Sequence, residues 1–360
     1  MADRRPLVLV DGRLARRRRT GIATYIAHLA RALEEASPSD LRVEWMFGPP
    51  GLPRRGWHTS LGNLLLDSLW LHVWVPLTAW RRRAAAVHAP MNWAPWWSPC
   101  PTVVTVQDLC WEQLPEAYPT GFRRYATLLA RRSTCRARVV VAVSRATADE
   151  VERLYRVPGR RLRVVPIGVE PDGGPPAGAQ LPREPFVLAV GELEPRKRVR
   201  ALVEGHRRYW EAAPPDPPPC RLVVAGAGGS EEEAVRRAAG PGCELLGFVS
   251  DEELRRLYRR ATLLVYPSAC EGFGLPVAEA MAHGCPALVA RTAALVEVGG
   301  DPALVIDDPS VEGIARALDE ALADREALAL RGEAARRRAA RFGWAAAAAG
   351  TLAAYREAIA

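Results

Sequence analysis

Two glutamates, Glu271 and Glu279, stand eight residues apart in the stretch from Tyr266 to Ala290, YPSACEGFGLPVAEAMAHGCPALVA. An apolar run ends at Tyr266, Pro267 and Ser268 follow it, and the loop Glu271-Gly272-Phe273-Gly274 leads into a helix start at Leu275-Pro276. Glycines let such a loop approach a ligand closely, and the first helical turn offers unpaired N–H groups and a partial positive charge to an anion. The spacing sets Glu271 in the loop and Glu279 about one turn into the helix, so both can face one opening. The frame reads as a cradle for phosphate or sugar.

A second signal lies upstream. Of the 49 cationic side chains only Lys197 is a lysine, and it stands beside Arg196. A chain that uses arginine everywhere else and keeps one compact ammonium there suggests that a planar guanidinium does not serve at that place. Other chemistry is argued against. There is no D-x-D pair to chelate a metal bridging phosphates, and the seven cysteines include no C-x-x-C pair that would hold zinc. No G-x-G-x-x-G follows the first apolar run, and Gly226-Ala227-Gly228-Gly229 is followed by three glutamates that would repel a phosphate. His88, at the end of an apolar run in Val87-His88-Ala89-Pro90, reads equally as a satisfied core histidine and as an active group.

These residues need a scaffold, and the apolar pattern supplies one twice. Strand-length runs at about 7–10, 43–47, 86–88, 103–106, 139–143 and 162–167 alternate with amphipathic stretches at about 22–35, 64–80, 121–135 and 146–155. The alternation restarts at 186–190, 222–225, 244–248, 263–266, 287–289 and 303–306. Strand and helix in alternation imply a parallel sheet covered on both faces. The fold class expected is therefore α/β, with two Rossmann-like parallel-sheet domains facing a cleft. Residues 1–170 form the first domain, 171–185 a Pro/Gly linker and 186–342 the second. A last Ala-rich helix, 343–360, has few charges and needs something to pack against. Ligands of such sheets bind beyond the carboxyl ends of the strands.

The chain has 360 residues, 49% hydrophobic and 25% charged, with a net charge of +8, which excludes a disordered, collagenous or coiled-coil chain. The run Leu61 to Trp80 is rich in Leu and Trp but contains Asn63, Asp67, His72 and Pro76, so it reads as a buried or interfacial helix and not a span. Pro6 to Val10 is too short for a signal-peptide core, and a cytoplasmic location is expected. Arginines cluster at 16–19, 81–83 and 336–338. They read mainly as solvated charge, with peripheral contact to an anionic membrane at its inner face as the alternative. No aromatic residues interleave them, which argues against nucleic acid.

The Tyr266 to Ala290 stretch resembles the signature of the retaining glycosyltransferases of family GT4, of GT-B fold, with P-S, E-G-F-G-L-P and E-A-M-A-x-G-x-P all present. Val190 to Lys197 is similar to that family's diphosphate-binding segment, Val143 to Thr147 and Val165 to Glu170 to its N-domain landmarks, and Phe342-Gly343-Trp344 to the start of its C-terminal helix, which the resemblance implies crosses back to the first domain. The resemblance implies transfer of a sugar from a nucleoside-diphosphate sugar, with GDP-mannose as a first guess, to a hydroxyl acceptor on a glycan, a lipid-linked carrier or a small molecule. It implies no metal and no cofactor beyond the donor. Arg196 and Lys197 would hold the diphosphate, Glu271 the sugar hydroxyls, and Glu279 the ribose. Backbone groups of Phe273, Gly274 and Leu275 would contact sugar and phosphate. Gly21, in Thr20 to Tyr25, would belong to a loop pointing N–H groups at the ligand. Where the family commonly has His-Asp this chain has Gln107-Asp108, leaving Asp108, or His88 reaching in, for the acceptor side. Two other readings are a sugar-nucleotide 2-epimerase of the same architecture and a non-catalytic sugar-nucleotide binding protein.

Overall fold

The computed structural model describes residues 4–16, 21–48, 57–170, 184–214, 216 and 218–360. Most of the Pro/Gly run (171–183), Thr20 and the arginines at 17–19 thus lie outside the described residues. The chain divides into two compact units, one of Met1–Gly168 with Trp344–Ala360 and one of Val169–Gly343.

The first unit holds strands β1 (Leu7–Asp11), β2 (Arg42–Met46), β3 (Ala86–Ala89), β4 (Thr102–Val106), β5 (Val139–Ala142) and β6 (Leu162–Val164) in one sheet of order β2-β1-β3-β4-β5-β6. Every pairing is parallel. Its helices are α1 (Gly21–Ala36), α2 (Trp57–Leu69), α3 (Val75–Arg82), α4 (Cys110–Gln113), α5 (Thr120–Arg136) and α6 (Arg145–Tyr155). The sequences TVVTV and VVVA explain the strands: a parallel sheet covered on both faces needs no polar alternation, and β-branched residues fill it. Val75 and Ala79 of α3 join Leu7, Leu9, Met46 and Val87 in one apolar cluster. Full burial of each larger aliphatic side chain there contributes roughly 1.5–3 kcal/mol.

The second unit repeats the plan with β7 (Glu184–Val190), β8 (Arg221–Ala225), β9 (Cys243–Gly247), β10 (Ala261–Tyr266), β11 (Ala287–Ala290) and β12 (Leu304–Ile306), in the order β12-β11-β10-β7-β8-β9. Helices α7 (Val199–Ala212), α8 (Glu232–Ala238), α9 (Asp251–Arg260), α10 (Leu275–Ala282), α11 (Ala293–Gly299), α12 (Val311–Leu322) and α13 (Arg325–Ala339) cover it. Ser250 caps α9, its Oγ accepting from Glu253 N–H at 3.2 Å. Each strand falls on an apolar run expected from the sequence. One expectation needs correction: 64–80 is not one regular helix, because a π-turn at Trp70–Trp74 separates α2 from α3.

The chain closes with α14 (Trp344–Ile359), which packs along α1 in the first unit. Trp344 is its first residue and lies so close to Gly168 that a Cβ there would come within 2.4 Å of the indole.

Candidate functional site

The second unit winds outward from β7 in two directions, through β8 to β9 on one side and through β10 to β12 on the other. The carboxyl ends of β7 and β10 therefore flank the point where the winding reverses, the usual ligand crevice of an open α/β sheet. The loop after β7 carries Arg196 and Lys197 in a short 3₁₀ turn, Pro195–Lys197. The loop after β10 carries Ser268 and Glu271. Because the strands are neighbours, the loops abut: Ala269 N–H donates to Arg196 O at 2.7 Å.

Glu271 is the hub. Lys197 Nζ donates to its Oε1 at 2.5 Å, Ser268 Oγ at 2.7 Å, Tyr266 Oη at 3.1 Å and an Arg196 Nη at 3.4 Å. Oε2 takes none of these bonds. Lys197 Nζ also reaches the Tyr266 hydroxyl at 2.5 Å. Burial would raise the Glu271 carboxyl, but Lys197 and then Arg196 outweigh it and hold it below the usual carboxylate range. Burial together with the Glu271 charge pushes Tyr266 well up, so it stays a phenol. Two cations against one carboxylate leave the cluster with an excess positive charge, which suits an anion.

The turn into α10 is built for close approach. Gly274 has φ +89°, and a Cβ there would sit 2.4 Å from a Leu295 methyl, so glycine is required on both conformational and steric grounds. Leu275 opens the helix with Pro276 in its first turn. Phe273 is buried, its ring edge-on to Phe342 at 5.4 Å, which leaves its backbone as the part a ligand could meet. Upstream, a Cβ on Gly226 would fall 1.9 Å from Gly191 O. The glycines after β8 therefore serve contact with the loop after β7.

Glu279, in the second turn of α10, accepts from the Tyr258 hydroxyl at 3.0 Å. Burial pushes its carboxyl up to about 7, against the lowering effect of the Tyr258 bond. The two glutamates thus sit in opposite electrostatic environments, one pinned by cations and one desolvated. Tyr266, Ser268 and Tyr258 were not assigned roles from the sequence. The one available signal was that a tyrosine in an apolar strand must satisfy its hydroxyl.

The other candidates lie in the first unit. Gly21 is the first residue of α1, and a Cβ there would meet nothing within 4 Å among the described residues, so their packing does not demand a glycine. Asp108 is half-buried after β4, with Oδ1 accepting from Cys110 N–H at 3.1 Å and its carbonyl accepting from Asn92 at 3.1 Å. Gln107 is tied back, its side-chain amide donating to Pro90 O at 3.2 Å. For His88 the structure shows a core setting. It is fully buried in β3, with Nδ1 2.8 Å from Tyr355 Oη and Nε2 2.8 Å from Thr105 Oγ1. Burial drives it down to about 3, so it is neutral at any physiological pH and both ring nitrogens are engaged.

Comparison with known proteins matches both halves. Residues 19–172 match the family model described as Glycosyltransferase Family 4, and residues 177–338 that of Glycosyl transferases group 1. The O-antigen chain mannosyltransferase B of Escherichia coli is 31% identical over 256 residues, a match covering 67% of this chain and 66% of that relative. Among solved structures, sucrose-phosphate synthase from Thermosynechococcus elongatus shares the fold with a TM-score of 0.75 at 20% identity, covering 98% of each chain. HepE from Anabaena, solved in complex with UDP and glucose, does so with a TM-score of 0.67 at 17% identity, covering 97% of this chain and 99% of that one.

Proposed function

The chain belongs to the family 4 glycosyltransferases of GT-B fold, and we propose that it is a retaining transferase that moves a sugar from a nucleoside-diphosphate sugar to a hydroxyl acceptor. The observation that carries this reading is the Arg196–Lys197–Glu271 cluster at the reversal of the second sheet. As the bond between the anomeric carbon and the phosphate oxygen breaks, the diphosphate gains negative charge. Fixed cations already held in place lower that barrier without reorganising.

Glu271 has two parts in this scheme. Its Oε1 fixes the cations and its Oε2 accepts from hydroxyls of the transferred sugar. Glu279 accepts from the ribose hydroxyls, and the backbone of Phe273 to Leu275 meets sugar and phosphate. Gly21 and Asp108 belong to the acceptor and phosphate contacts of the first unit. The acceptor hydroxyl attacks on the face the diphosphate leaves, and the departing phosphate oxygen takes its proton. No histidine is then needed at position 107. The chain's own cations supply the neutralising charge, so turnover is expected to persist in EDTA. The relationship to an O-antigen mannosyltransferase supports mannose as the sugar and a glycan or lipid-linked glycan as the acceptor.

The test begins with thermal shifts against GDP-, UDP- and dTDP-sugars, since a ligand at 100 times its Kd stabilises by about 2.7 kcal/mol. Release of nucleoside diphosphate with an acceptor present, and the anomeric coupling in the product, then decide the reaction. Binding without release refutes a transferase, and an inverted product refutes retention.

A further inference from the structure

Over residues 64–80 the helices carry apolar side chains on two sides, and among the described residues one side is covered while the other is exposed. Leu71, Val75 and Ala79 face inward and are buried. Leu65, Leu69 and Val73, at intervals of four, form an outer stripe, with Leu69 60% exposed. Trp80 continues it at 64% exposed. The patch extends sideways: the His72 ring packs on Trp96 at 5.0 Å, and the neighbouring Trp97 is 58% exposed. Contiguous apolar surface of this kind marks an interaction site.

The charge around the patch has one sign. Arg81 and Arg83 end α3 without a carboxylate partner among the described residues, while Arg82 is held by Glu44. On the other flank, Arg132 of α5 lies over the Trp96 ring at 5.7 Å. Helix α5 carries five arginines and no acidic residue. Elsewhere this chain neutralises helical arginines with glutamates four residues away, as in Arg200–Glu204, Arg236–Glu232 and Arg256–Glu252. Among the described residues no arginine of α5 has an ion pair, so the helix gains where an anionic surface is met.

We infer that the outer face of α2 and α3, with Trp96, Trp97 and the flanking arginines, docks on an anionic lipid bilayer. Leucines and tryptophans against arginines are the composition of a helix lying in the headgroup region, where indoles settle at the boundary and guanidinium groups meet lipid phosphates. Among the described residues no helix is long and apolar enough to cross a membrane, so the contact is peripheral. A second copy of the chain fits less well, because a two-fold contact on this face would bring like-charged arginines together. The inference does not depend on the donor or the reaction.

The test is co-sedimentation of the full chain with phosphatidylglycerol-containing vesicles and with pure phosphatidylcholine vesicles. The unaltered chain is expected to pellet with the anionic vesicles, less so as salt rises, with a blue shift of indole emission. Leu69→Ser with Trp80→Ser should lower partitioning at least about tenfold, as should Arg81→Glu with Arg83→Glu, given the free energy each arginine gains near an anionic surface. Trp97→Ser, a loop change, serves as the readout should the helix variant melt early. Equal pelleting of all variants, or none of the unaltered chain, overturns the inference. So does a dimer in sedimentation velocity that Trp80→Ser dissolves while vesicles go unbound, which would make a second copy the occupant.

Discussion

Lys197 and Glu271 meet Nζ to Oε1 at 2.5 Å, joining the loop after β7 to the loop after β10. The pair is mostly buried, with each side chain 11% exposed, and it is not isolated: Tyr266 bonds to both partners. A buried charge left without its partner is strongly destabilising, whereas this arrangement keeps Glu271 ionised through two cations and two hydroxyls. It is a preorganised cluster of fixed positive charge.

Removal of the ammonium should therefore act on rate. Lys197→Ala is expected to lower turnover by on the order of 10² to 10³, the scale of losing one stabilising donor. Lys197→Arg should not restore it, because the planar fork cannot replace a compact charge between Tyr266 and Glu271. Steady-state turnover with a saturating donor decides the matter, and near-normal rates in Lys197→Ala would take this residue out of the site.

The two glutamates should separate kinetically. The ribose does not change between ground and transition state, so Glu279→Gln is expected mainly to raise the donor KM. In the proposed scheme Glu271 faces the reacting sugar, so Glu271→Gln is expected mainly to lower kcat. Parallel losses in both parameters for both variants would refute the assignment of roles.

Glu279 also predicts a pH dependence. Its carboxyl, raised to about 7, holds a proton that the unfolded chain has lost above about 4.5. Its contribution to stability accordingly declines as pH rises from 4.5 to 7. Donor affinity should move the other way, since the ionised carboxylate is the better acceptor for two ribose hydroxyls. Calorimetric titration of the nucleotide across that window should show tighter binding with rising pH in the parent and a flat profile in Glu279→Gln.

For His88 the expected signature is stability. His88→Ala removes the His88 bond from the Tyr355 hydroxyl and from Thr105, which keeps Tyr25, and opens a cavity, so it should cost about 3 kcal/mol. Because the histidine is neutral down to about 3 when folded, its share of stability is present above the unfolded value near 6.5 and is lost as pH falls below it. Thermal melts between pH 5 and 8 check both points. A variant with an unchanged melting temperature and a raised acceptor KM would return His88 to the site.

The central strands were legible because both their faces are buried, which writes them as nearly unbroken apolar runs such as LVLVD and ATLLVY. The turn at 274 was legible because only glycine tolerates it, and Lys197 stood out because no other lysine competes with it. His88 was ambiguous for a definite reason. A residue at a strand end gives no hint of what covers it, and its cover, Tyr355, lies 267 positions away. Tyr258 on Glu279 was hidden for the same reason, the contact running from one helix to another. The π-turn at 70–74 left no mark, because Leu71, Val75 and Ala79 keep a four-residue spacing through it.

The first unit is interrupted in sequence by the whole of the second, and its layer over α1 is supplied by α14. A chain emerging from the ribosome therefore makes β3 and His88 long before Tyr355 exists to cover them. The unit begun first must wait, with part of its core wet, while the unit begun second can collapse from contiguous residues. Folding order would then run opposite to the order of synthesis, and a stall before residue 344 would yield one finished unit tethered to one unfinished one.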